Sequence, residues 1–164
     1  MEEKIDIWLL GNTGLRNPNR IQEGFKAFVN SPYVGKLRGK ENEIGFMRFL
    51  NEQGIIQNEV GKDVSGSHAR KWRLMFSKNG FIYPKVKKRD GDQEELGTLD
   101  DITPFGRTFL KADTYPAVQE CYLRALSIEQ SAMPDKNSYF SPFRWILAIM
   151  LELEKRTGTS EITR

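Results

Sequence analysis

The sequence predicts a mainly α-helical protein with one small β-hairpin. Three observations carry the prediction. Apolar residues recur at helical spacing in separate segments, as in Ile21, Phe25 and Phe28. Proline and glycine stand where helices start and stop, at Pro18, Gly54, Pro104, Pro142 and Gly158. Between the third and fourth helical segments lie two short β-prone runs, 81–86 and 97–102, around a polar loop with Asp90-Gly91 at its centre.

Taken in order, residues 5–10 alternate weakly and end at Gly11, so they read as a short strand or an extended arm. The loop GNTGLRNPNR carries Arg16, Asn17 and Arg20. Asn12, Thr13 and Arg16 suit either phosphate or base contact or an ordinary solvated loop. A first helix is expected over about 18–29, closed by Ser31-Pro32. A second, over 36–53, carries Leu37, Ile44, Met47 and Leu50 on one face and stops at Gly54. A third is opened by Ser65 or Ser67; Trp72, Met75 and Phe76, with Ala69 and Leu74 beside them, supply its buried side. Asn79-Gly80 stops it.

The run FIYPKV then reads as a strand, held to an edge position by Pro84, with 97–102 as its partner. Thr103 caps a fourth helix and Pro104 takes its first turn. Two helices, a basic helix, a hairpin and a capped helix in this order give a winged helix-turn-helix arrangement, whose second motif helix enters the major groove. A fifth helix is expected over 115–130, with Val118, Tyr122, Ala125 and Leu126 inward. After a loop at 134–141, Pro142 opens a final helix over 143–155. That helix is apolar nearly all round, so it is expected at the centre of the protein. The division expected is a winged-helix-like DNA-recognition unit with its N-terminal arm over 1–112, and a helical extension over 113–164.

Charge points to the partner. Residues 65–89 hold eight of the 25 Lys and Arg residues and no Asp or Glu, whereas the rest holds 17 basic against 22 acidic residues. The net charge of +3 is therefore +8 here and −5 elsewhere. Such a split is the electrostatic footprint of a polyanion-binding surface, here double-stranded DNA. Ser67, His68, Arg70, Lys71 and Arg73 lie on the expected groove helix, where Arg can reach guanine and Ser or His read less specifically. Lys85, Lys87, Lys88 and Arg89 on the wing would hold backbone phosphates.

Other chemistry finds little support. One cysteine, Cys121, and one histidine, His68, leave no internal disulfide and no Cys-based or multi-His metal centre. His68 at a helix start suits a capping or surface residue better than a catalyst. No Asp followed by Glu-x-Lys on neighbouring strands is present, and GNTG lacks the ending of a phosphate-binding loop. The N-terminus does not read as a secretory signal, and the longest apolar run is too short to span a bilayer. A cytoplasmic, soluble protein without a cofactor of its own is expected.

LRNPNRI, the run SGSHARKWRLMFSKNGFIY, the turn ITPFGRTFL and SPFRWILAIMLELEKR together resemble the N-terminal region of AlwI-type restriction endonucleases, a group of type IIS and nicking enzymes. The resemblance implies a modular enzyme: an N-terminal part that binds a short asymmetric site, and a Mg2+-dependent C-terminal nuclease domain, or a separate cleavage subunit, that cuts outside it. On that reading this chain matches the recognition part and belongs to a longer parent. A stand-alone winged-helix transcription regulator is the alternative.

Overall fold

Ile21, Phe25 and Phe28 fall at i, i+4 and i+7, and α1 (Pro18–Val29) buries that stripe. The computed structural model describes residues 18–57, 66–85, 98–129, 131–132 and 139–162. Among them are five further helices: α2 (Lys40–Glu52), α3 (Ser67–Lys78), α4 (Pro104–Lys111), α5 (Tyr115–Ile128) and α6 (Pro142–Thr157). They fall into two compact units, one running to Tyr122 and one starting at Leu123, so the division lies inside α5.

The first unit is built on phenylalanine. Phe25 sits with its ring 5.1 Å from Phe76, 5.3 Å from Phe81 and 5.9 Å from Phe109. Phe81 and Phe109 stack nearly parallel at 4.2 Å. Each of these rings is fully buried. Helix ends deliver them. Both α2 and α3 close with a glycine, Gly54 and Gly80, after which an amide reaches five residues back: Ile55 N–H donates to the Leu50 carbonyl and Phe81 N–H to the Phe76 carbonyl. The second of these turns Phe81 into the core directly beneath α3. Thr103 caps α4 as expected, its Oγ1 accepting from the Gly106 amide at 2.9 Å and donating to the Gly80 carbonyl at 2.6 Å.

Among the described residues the expected winged hairpin is not formed, although the mainly α reading holds. Where strands were expected over 81–86 and 97–102, there is a single antiparallel bridge, Ile82 to Ile102. Flanking bonds join Tyr83 N–H to the Asp101 carbonyl and Thr103 N–H to the Phe81 carbonyl, and no ladder extends outward among the described residues. Pro84 does not stop it, since beside Tyr83 any N–H at that position would point away from residues 98–102. On the other side Asp100 adopts a left-handed φ of 60°, within a turn in which Asp101 N–H bonds the Thr98 carbonyl. The only strands described lie elsewhere, two residues each, with Ser131 opposite Phe140 and Ala132 opposite Tyr139.

Asp100 is 1% exposed and is held by Arg38, whose Nε and Nη2 donate to the two carboxylate oxygens at 2.7 and 3.0 Å. Gly35 N–H donates to the Asp100 carbonyl, so the turn before α4 is tied to the loop before α2.

In the second unit α6 opens at Pro142 and ends at Gly158, as the sequence indicates. Its burial differs from expectation: no residue of α6 is buried, and Trp145, Ile146, Leu147 and Leu151 are exposed. Apolar character on every side marks a helix that lacks a polar face. It does not supply the neighbours that would cover one.

Candidate nucleic-acid interface

The outward face of α3 is set by its inward one. Ala69, Trp72, Met75 and Phe76 are buried, which turns Ser67, Arg70, Lys71, Leu74 and Lys78 away from the core at helical spacing. Leu74, expected inward, is 42% exposed on this basic face. His68 lies about a quarter turn to one side, toward Trp72, and is half-buried. Lys85, beyond the Ile82 bridge, is exposed. Arg20 is exposed in the first turn of α1 and donates through Nη2 to the Ile55 carbonyl at 3.0 Å. Arg16, Asn17, Lys87, Lys88 and Arg89 lie outside the described residues, as does the arm at 5–10.

The start of α3 departs from expectation. Ser67 is its first residue and Gly66 its cap, at φ 68° and with no side-chain bond; Ser65 lies outside the described residues. Two reasons call for glycine there. The backbone is left-handed. A Cβ would also stand 2.8 Å from the Cβ of Glu43 and 3.0 Å from its Oε2.

Glu43 is the group that residue-type reasoning missed. It sits in the first turn of α2, only 6% exposed. Arg70 Nη1 donates to its Oε2 at 2.9 Å and Arg73 Nη1 to its Oε1 at 3.0 Å. The two arginines fare differently. The Arg73 side chain is 16% exposed and also reaches the Leu37 carbonyl at 3.4 Å, so it faces inward. The Arg70 side chain stays 45% exposed. One carboxylate against two guanidinium groups leaves one positive charge in the cluster. A signal was present: Glu43 stands four residues before Met47 and seven before Leu50, in register with the buried stripe of α2.

The carboxylates of this region do not fit a magnesium site. Glu43 is taken up by two arginines, Asp100 by Arg38, and Asp101 accepts from the Ile102 amide at 2.7 Å. Among the described residues no three His, Cys, Asp or Glu gather to hold a metal ion.

A family model described as AlwI restriction endonuclease matches residues 77–164, more than half of the chain. The chain belongs to the AlwI restriction endonuclease family. Neither curated proteins nor solved structures give a significant match. The AlwI match takes in the end of α3, the Ile82 bridge, α4, α5 and α6, and it includes SPFRWILAIMLELEKR. The stretch LRNPNRI and most of α3 precede it. Family membership makes this a restriction-enzyme chain, with DNA as the substrate of its system. No helix among the described residues is long and apolar enough to cross a membrane.

Proposed function

We propose that this chain recognises double-stranded DNA for a restriction endonuclease of the type IIS kind, with α3 as its groove-facing helix. One observation carries the reading: the outward face of α3 presents Arg70, Lys71 and Lys78, and no acidic residue occurs from 65 to 89. Lys71, Lys78 and Lys85 would neutralise phosphates, and Arg70 would meet a base edge. Ser67 and His68 at the start of α3 are further contacts, as are Arg16, Asn17 and Arg20 on the N-terminal side and Lys87, Lys88 and Arg89 beyond Lys85. Arg73, turned inward, supports the others.

Phosphodiester cleavage belongs, on this reading, to a nuclease domain or subunit whose own carboxylates hold Mg2+. Mg2+ held there would supply Lewis-acid chemistry to the cleavage. The setting is the cytoplasm, where DNA is met.

Titrating duplex DNA into the protein at several salt concentrations tests the reading. Phosphate contacts from Lys71, Lys78 and Lys85 predict a slope of log K against log salt of about −3, steeper where Lys87, Lys88 and Arg89 add theirs. Lys71→Ala should weaken all duplexes alike and bring the slope up by about 1. Absence of binding at low salt, or binding indifferent to salt, overturns the proposal. A selected site that is asymmetric supports the type IIS assignment; a palindrome bound by a dimer refutes it.

A further inference from the structure

We infer that Glu43 is a positioning residue for sequence discrimination: buried on α2, it fixes the Arg70 guanidinium that α3 offers to a base edge. The inference rests on the reading of α3 as the DNA-facing helix and adds to it a residue on a different helix.

Three features meet at Glu43. Its two carboxylate oxygens are divided between arginines one turn apart on α3, Oε2 to Arg70 and Oε1 to Arg73. Arg73 is almost wholly inward and also holds the Leu37 carbonyl, so it anchors the carboxylate from below. The chain leaves out a side chain at Gly66, where one would collide with Glu43. The carboxylate is therefore built into the junction of α2 and α3 rather than lying on its surface.

Arg70 differs from its basic neighbours in consequence. A guanidinium is planar, with donors in a rigid fork, and reads guanine O6 and N7 only when the fork is aimed. Glu43 takes one Nη1 hydrogen of Arg70 and so orients the plane, while nearly half of the side chain stays open to solvent. Lys71 and Lys78 carry compact ammonium charges with no planar fork, suited to phosphates of any sequence. Discrimination is thus assigned to the braced cation.

The test uses the full chain, a duplex selected from a randomised library and a scrambled duplex of the same composition. Affinity for both is measured for the wild type, Glu43→Gln, Glu43→Asp, Arg70→Ala and the Glu43→Gln/Arg70→Ala double variant, with thermal melts of each. Loss of the brace should cut the preference for the selected duplex roughly tenfold, as expected of one bidentate base contact. Affinity for the scrambled duplex should not fall, and Glu43→Gln should add less than about twofold once Arg70 is gone. Glu43→Asp, which keeps the charge but withdraws the oxygens, should behave like Glu43→Gln and covers the case in which the amide disturbs folding. The inference is overturned if preference survives both substitutions, if both duplexes weaken equally, or if the loss persists without Arg70. A wild type that binds no duplex at low salt removes the DNA reading itself, and Glu43 with it.

Discussion

Asp100 combines two costs, a buried carboxylate and a left-handed backbone, and Arg38 offsets the first through two short hydrogen bonds. Removing one partner of a buried pair leaves an uncompensated charge, which typically costs about 3–5 kcal/mol. Because Arg38 is itself about one-third exposed, solvent screens the pair, and Arg38→Met should cost about 2–3 kcal/mol in urea unfolding. Arg38→Lys should recover only part of this, having no fork to match both oxygens. Tyr122 offers a test by pH. Burial pushes its phenol well above the usual tyrosine range, and the neighbouring Cys121 adds to the shift. Above about pH 10 the unfolded chain releases this proton while the folded one keeps it, so stability falls as pH rises. Tyr122→Phe should flatten that alkaline fall, read as melting temperature against pH, and a slope equal to the wild type's would refute the assignment.

Helix ends were the most legible elements, because they depend on local chemistry. Pro18, Thr103 with Pro104, Pro142 and Gly158 act where the sequence placed them. What depends on distant partners was not legible. Pro84 already restricted the expected hairpin to an edge, but nothing local announced the left-handed Asp100 that turns the other side away. Glu43 did not stand out within the expected helix 36–53; its role emerges only with Arg70 and Arg73 opposite. For α6 an apolar circumference suggested burial, yet its side chains stay open. The crossing of α1 and α3 gives a prediction at this scale. A Cβ at Gly24 would lie inside the Trp72 ring, and Trp72 is buried and packed against Phe76, so it cannot retreat. Gly24→Ala should therefore destabilise by about 1–3 kcal/mol despite its better helix propensity. Trp72→Phe in the same chain should restore part of the loss; if it does not, the crossing is looser than described.

In the molecule as a whole, the buried cluster runs from Ile21 to Cys121, whereas the family match runs from Ser77 onward. The two overlap in the Phe81 and Phe109 stack and the α4 cap. That overlap joins the family-defining half to the helices proposed to meet DNA, so a core substitution at Phe81 would disturb both. The candidate site was visible in the sequence as charge, since 25 residues without an acid stand out against an acidic remainder. Its internal order was not, because the acid that organises it lies on another helix.

The bonds around the Ile82 bridge fasten two distant stretches of the chain together. Tyr83 N–H donates to the Asp101 carbonyl, Asp100 N–H donates to the Tyr83 carbonyl, and Arg38 clamps Asp100 from the side, so the three form one latch. Hydrogen exchange should read that latch: the Tyr83, Asp100 and Thr103 amides should be protected together and exchange faster together in Arg38→Met, while the amides inside α3 keep their rates.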